Sequence, residues 1–154
     1  MTKEELLKEI IRQLEAELEH ATQVATETAE SATDDESRQE GKYDTRGLEA
    51  SYVASAQANF VKDLRESLAA LNSLHLRPFT SSDPIAISAL VTTLSSTGRE
   101  QFFIAPAHGG LEIETETGPI MLITPHSPLG ADLIGKIAGH KVTAAGGKSI
   151  LKVE

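Results

Sequence analysis

The sequence predicts an α+β protein, with a long antiparallel helical hairpin first and a small antiparallel β-sheet carrying one short helix after it. Three observations predict this. Apolar residues recur in alternating steps of four and three from Leu7 to Ala32 and again from Ala50 to Leu71, the spacing that gathers one stripe on one side of a helix. Pro78 and Pro84 then forbid further helix, because each lacks an amide donor and constrains the residue before it. Beyond them the period falls to two and the residues become β-formers, punctuated by glycines.

The first helix is expected from Thr2 to about Ala32. Leu7, Ile11, Leu14, Leu18, Ala21, Ala25, Thr28 and Ala32 form its seam, and Glu4, Glu5, Lys8, Glu15 and Glu19 populate the outside. The seam side chains shrink along the helix, so the hydrophobic gain per turn falls with the area buried. A polar segment from Ser31 to Arg46 follows, dense in carboxylates and without apolar periodicity, and reads as a tip. The second helix is expected from about Thr45 to Leu74, with Ala50, Ala54, Gln57, Val61, Leu64, Leu68 and Leu71 as its seam. Its gradient is the mirror image of the first. Antiparallel pairing matches large with large and small with small, in a hairpin roughly 40 Å long at about 1.5 Å per residue.

Arg77 to Pro84 reads as a linker between residues 1–76 and residues 85–154. Strands are expected at Ile85–Leu94, Gln101–Ala105, Leu111–Thr115, Pro119–Thr124, His140–Ala144 and Lys148–Val153, with Gly98, Gly109-Gly110, Gly118 and Gly146-Gly147 as turns. Between the fourth and fifth strands, Ser127 is a good N-cap and Pro128 suits the first helical position. Leu129, Leu133 and Ile134 are expected on one face of this short helix, which Gly135 stops. Gly146-Gly147-Lys148-Ser149 is similar to the end of a phosphate-binding loop, but Val142 stands where the first glycine belongs and a strand is expected next, so it reads as a hairpin turn.

Bulk properties exclude several classes. With 154 residues and a formal net charge of −9, the chain is a poor stand-alone binder of nucleic acid, which needs a basic face to replace counterions. It contains no cysteine, which excludes disulfides and thiolate metal sites and fits a reducing cytosol. The N-terminus begins with mixed charge and no long apolar run follows, so a cytoplasmic location is expected rather than secretion or membrane insertion. The histidines at 20, 75, 108, 126 and 140 share no metal-ligand spacing, and no Ser/His/Asp grouping stands out.

The string Ser127-Pro128-Leu129-Gly130-Ala131-Asp132-Leu133-Ile134-Gly135-Lys136, continued by Gly139 and Val142, resembles the C-terminal domain of the Gre-type transcript cleavage factors of bacterial RNA polymerase. Those factors also pair an N-terminal coiled coil with an acidic tip. The resemblance implies that residues 85–154 are similar in fold to the FKBP prolyl isomerases, without implying isomerase activity. It implies RNA polymerase as partner, docking through the C-terminal domain with Ser127, Pro128 and Leu129 on the contact surface, and a coiled coil that passes down the secondary channel. Nascent RNA would be met only within that complex, with no independent DNA binding. The chain would then be no enzyme itself and hold no cofactor of its own. Its tip residues Asp34, Asp35, Glu36 and Glu40 would assist the polymerase's magnesium-dependent RNA cleavage, with Glu36 and Glu40 sharing the second ion.

The tip departs from the family pattern of Asp, then Glu three residues on, then Asn, then Tyr four residues after the Glu. Counting back from Tyr43 puts Glu36 at the Asp position but Gln39 at the Glu position, with Glu40 beside it. Asp44 and Arg46 also fit the start of a helix, where an acidic residue suits the positive end of the dipole. Three functions stay open: a cleavage and elongation factor, a non-cleaving secondary-channel regulator or inhibitor, and a coiled-coil adaptor unrelated to transcription.

Overall fold

The computed structural model describes residues 1–33 and 46–154. Among them, α1 spans Lys3–Thr33 and α2 spans Arg46–Asn72. The chain forms two compact units, one of Arg12–Leu68 and one of Met1–Ile11 with Ala69–Glu154. The start of α1 and the end of α2 therefore share a unit, which makes the helices antiparallel, as expected.

In the first unit Leu18, Ala21 and Ala25 of α1 pack with Val61 and Leu64 of α2. The expected seam of α2 is observed: Val61, Leu64, Leu68 and Leu71 are buried, and Ala50, Ala54 and Gln57 are half-buried. The seam of α1 is corrected at its start. Leu6 and Ile10 are fully buried, while Leu7 and Ile11 are only half-buried. Leu6, Leu7, Ile10 and Ile11 make a broad stripe, and this first part of α1 belongs to the unit that contains the sheet, so its centre is not set by pairing with α2 alone.

A capping box opens α1. The Glu5 amide donates to Thr2 Oγ1 at 3.1 Å and the Thr2 amide donates to Glu5 Oε2 at 2.7 Å. This bond from the Thr2 amide is the main reason the Glu5 carboxyl is held below its ordinary pKa. Next to it, Lys3 Nζ donates to the carbonyls of Arg77 at 2.5 Å and Ser88 at 3.0 Å. Lys3 and Arg77 both lie over the Phe79 ring, at 4.9 and 4.2 Å from its centroid. Desolvation in this setting lowers the Lys3 pKa.

The sheet has six strands, β1 (Leu90–Ser95), β2 (Gly98–Ile104), β3 (Glu112–Ile113), β4 (Ile120–Ile123), β5 (Lys141–Val142) and β6 (Lys148–Val153), in the order β3-β4-β2-β1-β6-β5. The α+β class is as expected, but the sheet is mixed. β2 and β4 pair in parallel, Phe103 opposite Leu122. A parallel pair needs a long crossover, and the chain from Ala105 to Pro119 supplies one, with β3 folded back antiparallel on β4 inside it. β1 begins at Leu90 instead of Ile85, because Ile85 bonds through both its amide and its carbonyl to the segment after the short helix α3 (Pro128–Leu133), and Ser88 takes a positive φ of 75°. On one sheet face Val91, Phe102, Ile104, Ile123 and Ile150 form a core with Leu133 of α3. On the other, Leu90, Phe103 and Leu122 are also buried.

Candidate functional site

The loop and helix from Thr124 to Gly139 join β4 to β5, and almost every residue that gives this string its character has a stereochemical task. Ser127 is extended at φ −69°, ψ 154°, and its Oγ accepts from the Gly130 amide at 3.0 Å while donating to the Thr124 carbonyl at 2.8 Å. One hydroxyl thus caps α3 and closes the turn before it. Pro128 fills the first helical position, where no amide donor is needed. Gly130 is buried, and a Cβ there would fall inside the van der Waals surface of the Thr124 carbonyl and 2.8 Å from Ser127 Oγ. Only glycine fits.

Leu133 is fully buried and Leu129 is partly buried against the same core, as expected. Ile134 is not with them and stays 37% exposed. It is the C-cap, with ψ at 132°, so its side chain has left the helical progression. Gly135 stops the helix at φ 82°, a conformation that disfavours any side chain, and its amide donates to the Ile85 carbonyl at 2.9 Å. Asp132 ties the string to the next turn. It accepts from Lys136 Nζ at 2.5 Å and from the amides of Thr143 and Ala144 at 2.9 Å each. The bond from Lys136, then that from Ala144, pulls the Asp132 pKa down to about 2.

Ser127, Pro128 and Leu129 line one side of an open groove that also includes Gly109, Gly110 and Met121. Pro128 is exposed and Met121 is 38% exposed. Of the three expected contact residues, Pro128 presents its side chain, Leu129 divides itself between groove and core, and the Ser127 hydroxyl is spent on the cap. The contribution of Gly109 and Gly110 was not legible: they read as a turn, and the Gly110 amide reaches the Leu122 carbonyl at 2.8 Å only because β4 has crossed to lie beside β2.

The expected tip residues Asp34, Asp35, Glu36 and Glu40 lie outside the described residues. Among the described residues, no group of three or more His, Cys, Asp or Glu side chains could hold a metal ion. The Gly146-Gly147 segment ends a 3-10 turn and leads into β6, so it is a hairpin turn as expected. Lys148 is buried, with its ammonium on Glu100 and 5.4 Å from the Phe102 centroid. No described helix is long and apolar enough to cross a membrane.

No protein-family model matches the sequence, and no curated protein matches it. Among solved structures the chain is similar to GreA factor homolog 1 (Gfh1) of Thermus thermophilus, at 22% identity and a TM-score of 0.37, with 97% of this chain and 93% of that one covered. A structure of the transcription factor Gfh1 gives 22% identity and a TM-score of 0.38 over 97% and 92% of the two chains. Thermus aquaticus Gfh1 gives 22% and 0.35 over 97% and 92%.

Proposed function

We propose that this protein is a transcription factor that acts through RNA polymerase, anchored by the groove beside Ser127, Pro128 and Leu129 and presenting the carboxylates between α1 and α2 to the polymerase active centre. The observation that carries the reading is the build of the Thr124–Gly139 string. Ser127, Gly130, Leu133 and Gly135 each meet a separate steric or hydrogen-bonding demand, so the string that resembles the Gre-type family acts as one structural unit and not as a chance run of residues. The antiparallel hairpin further supports the reading, since it brackets the acidic segment between two helices. In the cleavage form of the proposal, Glu36 and Glu40, with Asp34 or Asp35, help retain the polymerase's second magnesium ion and position the attacking water. The factor completes another protein's site and has no catalytic group of its own.

Gln39, standing where the family has a glutamate if Tyr43 marks the register, favours a second form. There the same hairpin enters the channel and regulates without cleaving. Pull-down of purified polymerase by the full chain separates both forms from an adaptor unrelated to transcription. Shortening of RNA in stalled, backtracked complexes then separates the two. Acceleration that needs magnesium and is lost in Glu36→Gln/Glu40→Gln, with binding kept, is expected for cleavage; binding without shortening at any magnesium concentration leaves the regulator.

A further inference from the structure

The outward side of α2 carries a second candidate surface, independent of the proposed function. From Ala50 to Val61 no side chain is charged, in a chain of which 24% is. The seam residues of this stretch, Ala50, Ala54, Gln57 and Val61, are half-buried or buried. The other side is apolar too, yet open to solvent: Tyr52 is 67% exposed and Phe60 46%, with Ala56 exposed between them. A helix that is apolar on both sides is one that is buried on both, and here only the seam side is covered. The outside of α1 shows the contrast, with Glu4, Glu15 and Glu19 exposed along it. Tyr52, Ala56 and Phe60 recur every four residues and so form one ridge along the helix.

We infer that this ridge binds the same ridge of a second copy, antiparallel, about a twofold axis through Ala56. The ridge is its own complement, as a twofold interface requires. With Ala56 of the two copies meeting at the axis, Tyr52 of each lies against Phe60 of the other. The small residue at the crossing lets the backbones approach, and the ring pairs on either side add contacts of a favoured kind. Ridges of this spacing cross at about 50°, so contact extends about one turn each way, and Leu48, two turns from the axis, stays outside it.

Charge selects the same occupant. An acidic or basic partner finds no counter-charge on this ridge, and nucleic acid needs cations that it lacks. Two copies of a chain of net charge −9 repel each other, but here they meet over uncharged surface, with the first carboxylates, Glu49 and Asp63, about two turns from the axis. At these exposures the two rings and the residues flanking them offer about 400 Å² per copy. The total of about 800 Å² lies below the roughly 1,200 Å² of stable complexes, so the dimer is transient, with a dissociation constant on the order of 10–100 μM.

The test is sedimentation equilibrium of the full chain from low to high micromolar concentration, at low and high salt. A reversible monomer–dimer transition is expected, strengthened by salt as repulsion is screened. Tyr52→Ser/Phe60→Ser should weaken it about tenfold, and Leu48→Ser much less, with circular dichroism unchanged. The chain has no cysteine, so Ala56→Cys places a single thiol on the axis, within disulfide reach of its image; mild oxidation should link it, and Ala58→Cys, exposed but off the ridge, far more slowly. A monomer at every concentration overturns the inference, as does a dimer indifferent to the double variant or linked equally through Ala58→Cys. A monomer whose double variant instead loses polymerase in the pull-down would assign the ridge to polymerase and also overturn it.

Discussion

The α1–α2 seam and the Thr124–Gly139 string are both helix-containing and both partly apolar, yet they are held in different ways. In the seam, Leu18, Ala21 and Ala25 meet Val61 and Leu64, and what matters is how much apolar volume each position contributes. In the string, Gly130 has no room for a methyl group, Ser127 supplies one hydroxyl to two partners, and Gly135 holds a positive φ. Residue identity there is dictated by geometry. Charge divides along similar lines: residues 1–76 carry eight basic and sixteen acidic side chains, residues 85–154 five and six. A periodic seam tolerates an acidic exterior because charges on the outer side of a helix stay in solvent; in residues 85–154 Lys136, Lys148 and Lys152 are matched with Asp132, Glu100 and Glu154.

The comparison can be broken most directly at Leu64. It is 1% exposed in the small hairpin core, so Leu64→Ala should cost about 3 kcal/mol through lost transfer energy and a cavity, read as a lower urea midpoint with an unchanged slope. Little or no change would mean that the seam does not hold the helices together. Gly130→Ala should cost about 2 kcal/mol although it adds a methyl group, because the Thr124 carbonyl must move away. A neutral result in the same urea series would show that the string is pliable and that the contrast with the seam is unfounded. Ser127→Ala removes the cap and should cost about 1 kcal/mol, with faster amide exchange at Gly130 as its local signature.

The smallest effect is expected from Asp132 and appears only in acid. Its folded pKa of about 2 lies below the ordinary 3.8, so its contribution is complete above that ordinary value and fades as the pH falls towards the folded one. Asp132→Asn should therefore flatten the dependence of melting temperature on pH in that window and leave the slope at neutral pH alone. An unchanged acid slope would mean that the bonds from Lys136, Thr143 and Ala144 do not discriminate the charged form.

The elements that were legible in the sequence are those whose cause is local. The four-three spacing of Val61, Leu64, Leu68 and Leu71 fixes which side of α2 is apolar whatever lies opposite. Pro78 and Pro84 forbid helix by their own covalent structure, and Ser127-Pro128 starts α3 with groups carried in adjacent residues. The Thr2-Lys3-Glu4-Glu5 capping box was equally available as a Thr-x-x-Glu pattern, though periodicity alone did not reveal it. Features fixed by distant residues were not legible. The choice of Leu6 and Ile10 over Leu7 and Ile11 depends on the surroundings of α1 within the sheet-containing unit, and the parallel placing of β4 depends on a crossover whose direction no strand encodes. Local stereochemistry acts over a few bonds and can be read in order along the chain; strand registry and shared burial are decided by contacts among residues far apart in sequence, and those exist only once the chain has folded.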